Sequence, residues 1–146
     1  MLPKEATVAM DDPRAGLRAL VEDYAHACDT RDVDLLVSLF AAGATMSVRM
    51  PGQDATPRVV PDDVRVIPST LSRFERTFHF VGNHRTVTVG NGAASGDTYC
   101  FAHHLTSGTD LVMAVHYHDK YVRQDGRWRF ATRDVDVLWT ETRAVA

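Results

Sequence analysis

Five polar residues fall at positions where the surrounding apolar pattern points indoors: Tyr24, Asp29, His79, His104 and Arg133. Tyr24 shares a helical stripe with Leu17, Leu20, Val21 and Cys28, and Asp29 closes that stripe at a helix C-terminus, where the helix dipole disfavours a lone carboxylate. His79 opens the first of four long strands. His104 shares strand parity with Cys100 and Ala102, so it points inward while His103 points outward, and Arg133 shares parity with Val135, Val137 and Trp139. An imidazole with an ordinary pKa of about 6.5 moves protons near neutrality, and a carboxylate on one ring nitrogen fixes its tautomer and stabilises the imidazolium. Asp29 and His79 can form such a dyad. Without a Ser or Cys in a nucleophile's setting, the dyad reads as a general base. Tyr24 and Arg133 can hold a carbonyl or a departing group, and His104 can return a proton to it. Taken singly, each of these residues has a plain structural use, as a satisfied core histidine or, for Arg133 with Asp29, as a buried ion pair. Their convergence on one interior is what points to chemistry.

The elements that must position these groups follow from periodicity. Asp12-Pro13 caps a first helix running to about Asp29. Asp32 caps a second, with Leu35, Leu36, Leu39 and Phe40 on its stripe and Gly43 at its end. Thr45 to Arg49 alternates as a strand, and residues 50–68, with Pro51, Pro57, Pro61 and Pro68, read as an irregular loop able to act as a lid. Ser69 caps a third helix carrying Leu71, Phe74 and Phe78, with Glu75 and Arg76 on its solvated side. The period then changes to two. Asn91-Gly92, Ser107-Gly108 and Asp125-Gly126 separate four strands of an antiparallel meander, and the apolar phase slips between Phe130 and Val135 as a β-bulge requires. Helices first and strands afterwards predict an α+β class: a cone-shaped α+β barrel in which three N-terminal helices cover a curved antiparallel sheet around a pocket. Its wall draws Met46 and Val48 from the first strand, Phe74 from the third helix, and Cys100, Met113 and Val115 from the middle of the sheet. Val135, Val137 and Trp139 complete it from the last strand.

The 146 residues, 45% hydrophobic and 24% charged, suit one domain over 1–146 with its core at about 13–140. A formal charge of −3 with interleaved signs leaves no footprint for nucleic acid. Met1 to Gly16 carries Lys4, Glu5, Asp11, Asp12 and Arg14 with no apolar run, so no leader and no membrane partner are expected, and the setting is cytoplasmic. Cys28 and Cys100 read as buried thiols rather than a disulfide. No glycine-rich phosphate loop or cofactor fingerprint is present, and no cofactor is expected. His116 and His118 alternate on one strand face at the spacing of two metal ligands. That face is the convex one and offers no third ligand, so they read as surface or subunit-interface residues and no metal is expected. His26 and His84 have no assigned partner.

Leu20-Val21-Glu22-Asp23-Tyr24-Ala25 continuing to Asp29, Thr77-Phe78-His79-Phe80-Val81-Gly82-Asn83, and Tyr117 to Trp128 with its Asp125-Gly126 turn resemble the SnoaL-like branch of the nuclear-transport-factor-two-like superfamily over about Leu17 to Trp139. That family includes polyketide cyclases, scytalone dehydratase, hexachlorocyclohexane dehydrochlorinase, a bile-acid dehydratase and steroid isomerases. The resemblance implies that Asp29 and His79 match the family's aspartate–histidine dyad, and that Tyr24 matches an acid or substrate-binding tyrosine. It also implies that His104 and Arg133 fall where members carry a second histidine and an arginine. Met46 and Val48 stand where scytalone dehydratase has a substrate-holding tyrosine, which argues against scytalone as substrate. The function implied is a cofactor-independent lyase or isomerase acting on a small apolar, aromatic or cyclic molecule by dehydration or another β-elimination. The alternatives are a noncatalytic ligand-binding or accessory protein, and a hydrolase or cyclase using the dyad on water or a polyketide. Relatives also imply a homodimer or homotrimer through the convex sheet face.

Overall fold

The computed structural model describes residues 12–146; the reading of Met1–Asp11 as free of a leader lies outside them. Helix α1 (Pro13–Thr30) starts where the Asp12 carboxylate accepts the Arg14 N–H, and ends at Arg31, whose positive φ of 58° turns the chain out of the helix. Its stripe of Leu17, Leu20, Val21, Tyr24 and Cys28 is buried. Helix α2 (Val33–Ser38) is capped by Asp32 and is shorter than its apolar spacing predicts. The chain enters β1 (Phe40–Arg49) already at Phe40, and Gly43, expected to end the helix, adopts φ +74° inside the strand. There it accommodates the register shift between Phe40↔Phe130 and Thr45↔Thr132.

Residues 50–68 are more ordered than an irregular loop: β2 (Thr56–Val59) pairs with β1, and short helices α3 (Asp62–Arg65) and α4 (Ile67–Leu71) follow. No third helix runs from Ser69 to Phe78. Phe74 and Phe78 mimic helical spacing, but β3 (Arg76–Gly90) begins before Phe78 and turns its ring to the exposed outer face. Glu75 lies in the turn and accepts the Ser107 N–H, and Arg76 opens the strand.

The four-strand meander forms as read, with β4 (Ala93–Thr106), β5 (Thr109–Gln124) and β6 (Arg127–Ala144) following β3. The residues Ser107-Gly108 and Asp125-Gly126 all take positive φ at the tight turns. The whole is a curved, unclosed six-stranded sheet in the order β2-β1-β6-β5-β4-β3, giving a cone-shaped α+β fold. It is mixed rather than purely antiparallel, because β1 runs parallel to β6. A parallel pair needs a long crossover, and here it is everything between Arg49 and Arg127.

The expected slip in β6 is a bulge at Ala131, and it keeps Arg133, Val135 and Val137 on the inner face. A second bulge at Leu138 was not legible in the alternation. It shifts the register from Val115↔Val137 to Ala114↔Trp139 and turns Trp139 outward, 52% exposed, against Phe101. Trp139 therefore does not line the interior. Among the described residues no helix is long and apolar enough to cross a membrane. Cys28 and Cys100 are both buried and free.

Candidate active site

The end of α1 and the start of β3 are tied together by one polar relay. Arg31, held by its left-handed backbone, donates from Nη1 to the Cys28 carbonyl and to Thr77 Oγ1, both at 2.6 Å, and from Nη2 to the Leu71 carbonyl at 3.0 Å. The Thr77 hydroxyl in turn donates to Asp29 Oδ1 at 3.0 Å. Asp29 also accepts the backbone N–H of His79 at 2.9 Å and stands 2.6 Å from its ring Nδ1. The carboxylate misplaced on the helix dipole thus has three donors of its own. Burial opposes its ionisation, but the ring and backbone hydrogen bonds of His79, the charge His79 can carry and the Thr77 hydroxyl outweigh burial and hold Asp29 below the usual carboxylate range. With an acceptor at that position the His79 ring donates from Nδ1, which leaves Nε2 as the nitrogen able to accept a proton.

His104 sits one strand away, its ring 5.8 Å from that of His79 and 4.9 Å from that of Phe74. Its Nδ1 lies 3.1 Å from the Leu111 carbonyl, an acceptor, so this ring too carries Nδ1–H and presents a bare Nε2. Burial lowers the His104 pKa; the Leu111 carbonyl partly offsets this and the neighbouring His79 adds to it, so the ring is neutral near pH 7. Behind it, Asp110 accepts the His104 backbone N–H at 3.2 Å and pairs with the outward His103 at 2.7 Å.

Both imidazoles border a cavity of about 270 Å³ between the inner sheet face, α1 and the α3–α4 segment. Met46, Val48, Phe74, Met113, Val115, Val135 and Val137 stand on its wall, together with Tyr24. Tyr117, Arg58, Asp63 and Arg73 also line it and were not singled out from the sequence. Tyr117 shares parity with Val115 and was accessible to the same alternation argument. Thr77 and Arg31 carried no such signal, because their roles arise from a left-handed backbone and a contact 46 residues apart.

Four candidate residues are not at the wall: Trp139, as described, Cys100, Arg133 and Asp29, which borders a separate shallow groove with His26 and Val81 and reaches the cavity through the His79 ring. Cys100 is inward but lies behind the lining, hydrogen-bonded with Tyr117. Arg133 is fully buried behind the aromatic layer, its guanidinium 4.0 Å from the Tyr24 ring centre, 3.7 Å from Tyr117 and 4.4 Å from Phe130. Its carboxylate neighbour is Asp119 at 3.7 Å, not Asp29, because the Ala131 bulge sets it opposite Asp119 on β5. Burial pushes Asp119 up to about 6 against the opposing pull of Arg133 and the Tyr121 hydroxyl. Burial also raises the thiols, Cys28 to about 12 and Cys100 to about 11, so neither is a thiolate nucleophile. His84, without a partner in the sequence reading, lies 3.3 Å from the Tyr121 hydroxyl.

A family model described as a SnoaL-like domain matches residues 12–134. The chain belongs to this SnoaL-like family. No curated protein sequence matches it. Among solved structures, this SnoaL-like chain is similar to LinA, at 22% identity and a TM-score of 0.72 over 92% of this chain and 90% of the other. It is similar to a scytalone dehydratase-like protein from Novosphingobium aromaticivorans at 20% identity and a TM-score of 0.76, covering 92% and 89%. It is also similar to the hexachlorocyclohexane dehydrochlorinase LinA-type3 from Novosphingobium barchaimii at 21% identity and a TM-score of 0.75, covering 90% of each chain. At these identities the likeness establishes the fold.

Proposed function

We propose that this SnoaL-like protein is a cofactor-independent lyase or isomerase in which His79 removes a proton from carbon in a small apolar, cyclic molecule. The observation that carries this reading is the 2.6 Å contact between Asp29 and Nδ1 of His79, whose ring stands on the wall of a largely apolar cavity. Nε2 of His79 takes the proton, the C–H electron pair becomes a new C=C bond, and a group on the adjacent carbon leaves with its bonding pair. Asp29 stays ionised and stabilises the imidazolium. His104, neutral with a bare Nε2, serves as a hydrogen-bond acceptor for a substrate hydroxyl; it returns a proton only after gaining one. Tyr24 is the phenol donor for the departing group. Arg133 acts from behind the Tyr24 and Tyr117 rings as a fixed positive charge. The dehydratase and dehydrochlorinase names among the structural neighbours agree with an elimination.

The test is a panel of cyclic β-hydroxy and β-halo compounds incubated in D₂O, with products and deuterium uptake read by mass spectrometry. Elimination lowered by at least about 10³-fold in His79→Ala supports the reading; turnover retained in a folded His79→Ala protein rejects it.

We further propose self-association through the convex sheet face, where Phe78, Phe80, Tyr99, Phe101 and Trp139 are each about half exposed. Light scattering of Phe101→Glu against the parent protein checks it: the variant is expected to be monomeric.

A further inference from the structure

The outer face of the sheet holds a cluster that the cavity chemistry does not use. Strand pairing sets Asp97 on β4 beside His118 on β5, and places His116 two residues along the same face. The candidate ligand atoms of these three side chains all lie within 4.8 Å of one another. Asp97 is the third ligand missing from the sequence reading. It could not be found there because it comes from the neighbouring strand, 19 and 21 residues from the two histidines.

His116 is the informative member. Its Nε2 is buried and has no hydrogen-bond partner among the described residues, where the Asp97 Oδ2 carboxylate oxygen is 3.8 Å away, too far for a hydrogen bond. A buried ring nitrogen left unsatisfied is costly and calls for a partner. The ring is fixed in place by parallel stacking on Tyr99, with centres 4.5 Å apart, and its centre lies 4.2 Å from that of His118. Asp134 and Asp136 pair across from His118 and His116 on β6 and add negative charge, with Arg49 opposite Asp136. The competing cation is Arg85, 2.9 Å from Asp97 Oδ2, whose side chain is 74% exposed and free to swing away.

We propose that Asp97, His116 and His118 form a binding site for a divalent transition-metal ion of the zinc class on the convex face. Two imidazoles and a carboxylate are a normal zinc donor set, with metal–ligand distances of about 2.0–2.2 Å. Tetrahedral donors then stand roughly 3.3 Å apart, so the cluster must contract by rotation of the exposed His118 and displacement of Arg85. The outward coordination position is open to water or to a donor from another molecule. This site faces away from the cavity, and its existence does not depend on the lyase reading.

The full-length, tag-free protein, stripped with a chelator, is titrated with zinc chloride by calorimetry and with cobalt chloride by visible absorption. One equivalent of zinc per chain and a cobalt spectrum of tetrahedral type are expected. His116→Asn and His118→Asn should each weaken zinc binding by at least about tenfold. Arg85→Ala, an exposed change that leaves the fold intact, should strengthen it. The proposal is overturned if no stoichiometric uptake occurs at about 100 µM zinc. It is equally overturned if uptake survives in the His116→Asn/His118→Asn double variant, or if Arg85→Ala weakens binding.

Discussion

Asp29 holds His79 through two different groups: Oδ1 lies 2.6 Å from the ring Nδ1, and Oδ2 accepts the backbone N–H at 2.9 Å. One carboxylate therefore sets both the ring orientation and the position of the strand that carries it. Asp29→Asn keeps the shape but loses the charge that stabilises the imidazolium, and its amide can present the wrong hydrogen-bonding group to Nδ1. Turnover of an accepted substrate should fall about 10²–10⁴-fold while ligand affinity stays within a few-fold. A kcat and KM comparison on the folded variant decides it.

Both cavity histidines should carry their proton on Nδ1 at neutral pH, because Asp29 and the Leu111 carbonyl are acceptors at that position. Nitrogen-15 NMR of the ring nitrogens reads the tautomer directly. In the same titration His104 should protonate below the ordinary histidine range, as burial dictates. The sign for stability follows: the unfolded chain binds this proton more readily, so the His104 contribution is full above about pH 6.5 and is lost as pH falls. A His104 that titrates above that value would contradict the burial argument.

Thr77→Val removes the hydroxyl that accepts from Arg31 and donates to Asp29 without changing side-chain shape. The fold should lose about 1–2 kcal/mol in urea denaturation. The Asp29 carboxyl should titrate higher than in the parent, seen by carbon-13 NMR. A titration unchanged from the parent would mean that Thr77 does not stabilise the carboxylate.

Arg133→Met leaves Asp119 buried without its cation. The loss of stability at pH 7 should be about 3–5 kcal/mol. It should shrink toward pH 5, where Asp119, already pushed up to about 6 by burial in the parent, is protonated in both proteins. In the parent the raised folded pKa makes the Asp119 contribution favourable below about pH 4 and lost as pH rises through 6. Urea midpoints for the two proteins at pH 5 and 7 test both signs.

The parts of the fold visible in the sequence were those governed by local rules. The Asp12 cap, the α1 stripe, the glycine turns and the inward parity of His104 all depend on neighbours within a few residues. Phe74 and Phe78 misled because four-residue spacing fits a helix as well as a turn followed by an outward strand position. The parallel pairing of β1 with β6 depends on where a crossover of more than seventy residues returns, and no local pattern carries that. The site was legible in its inward polar residues and obscure where a second strand or an irregular backbone supplies a partner, as with Asp97, Thr77 and Arg31. Arg133 was correctly inward, but alternation says nothing about depth, and the aromatic layer in front of it was invisible.

The eighteen residues of β6 lie along the sixteen of β5, the surplus being taken up at Ala131 and Leu138. Each extra residue is a spare: loss of the Ala131 or Leu138 codon would straighten the strand and leave the pairs on either side facing as before. A codon lost within Thr132–Val137, the six residues between them, would instead interchange lining and surface from the loss to the bulge that absorbs it, where a point substitution alters a single side chain. In the divergence of this lineage, short deletions inside that segment would therefore retool the chamber in single steps, and specificity should jump between relatives rather than drift.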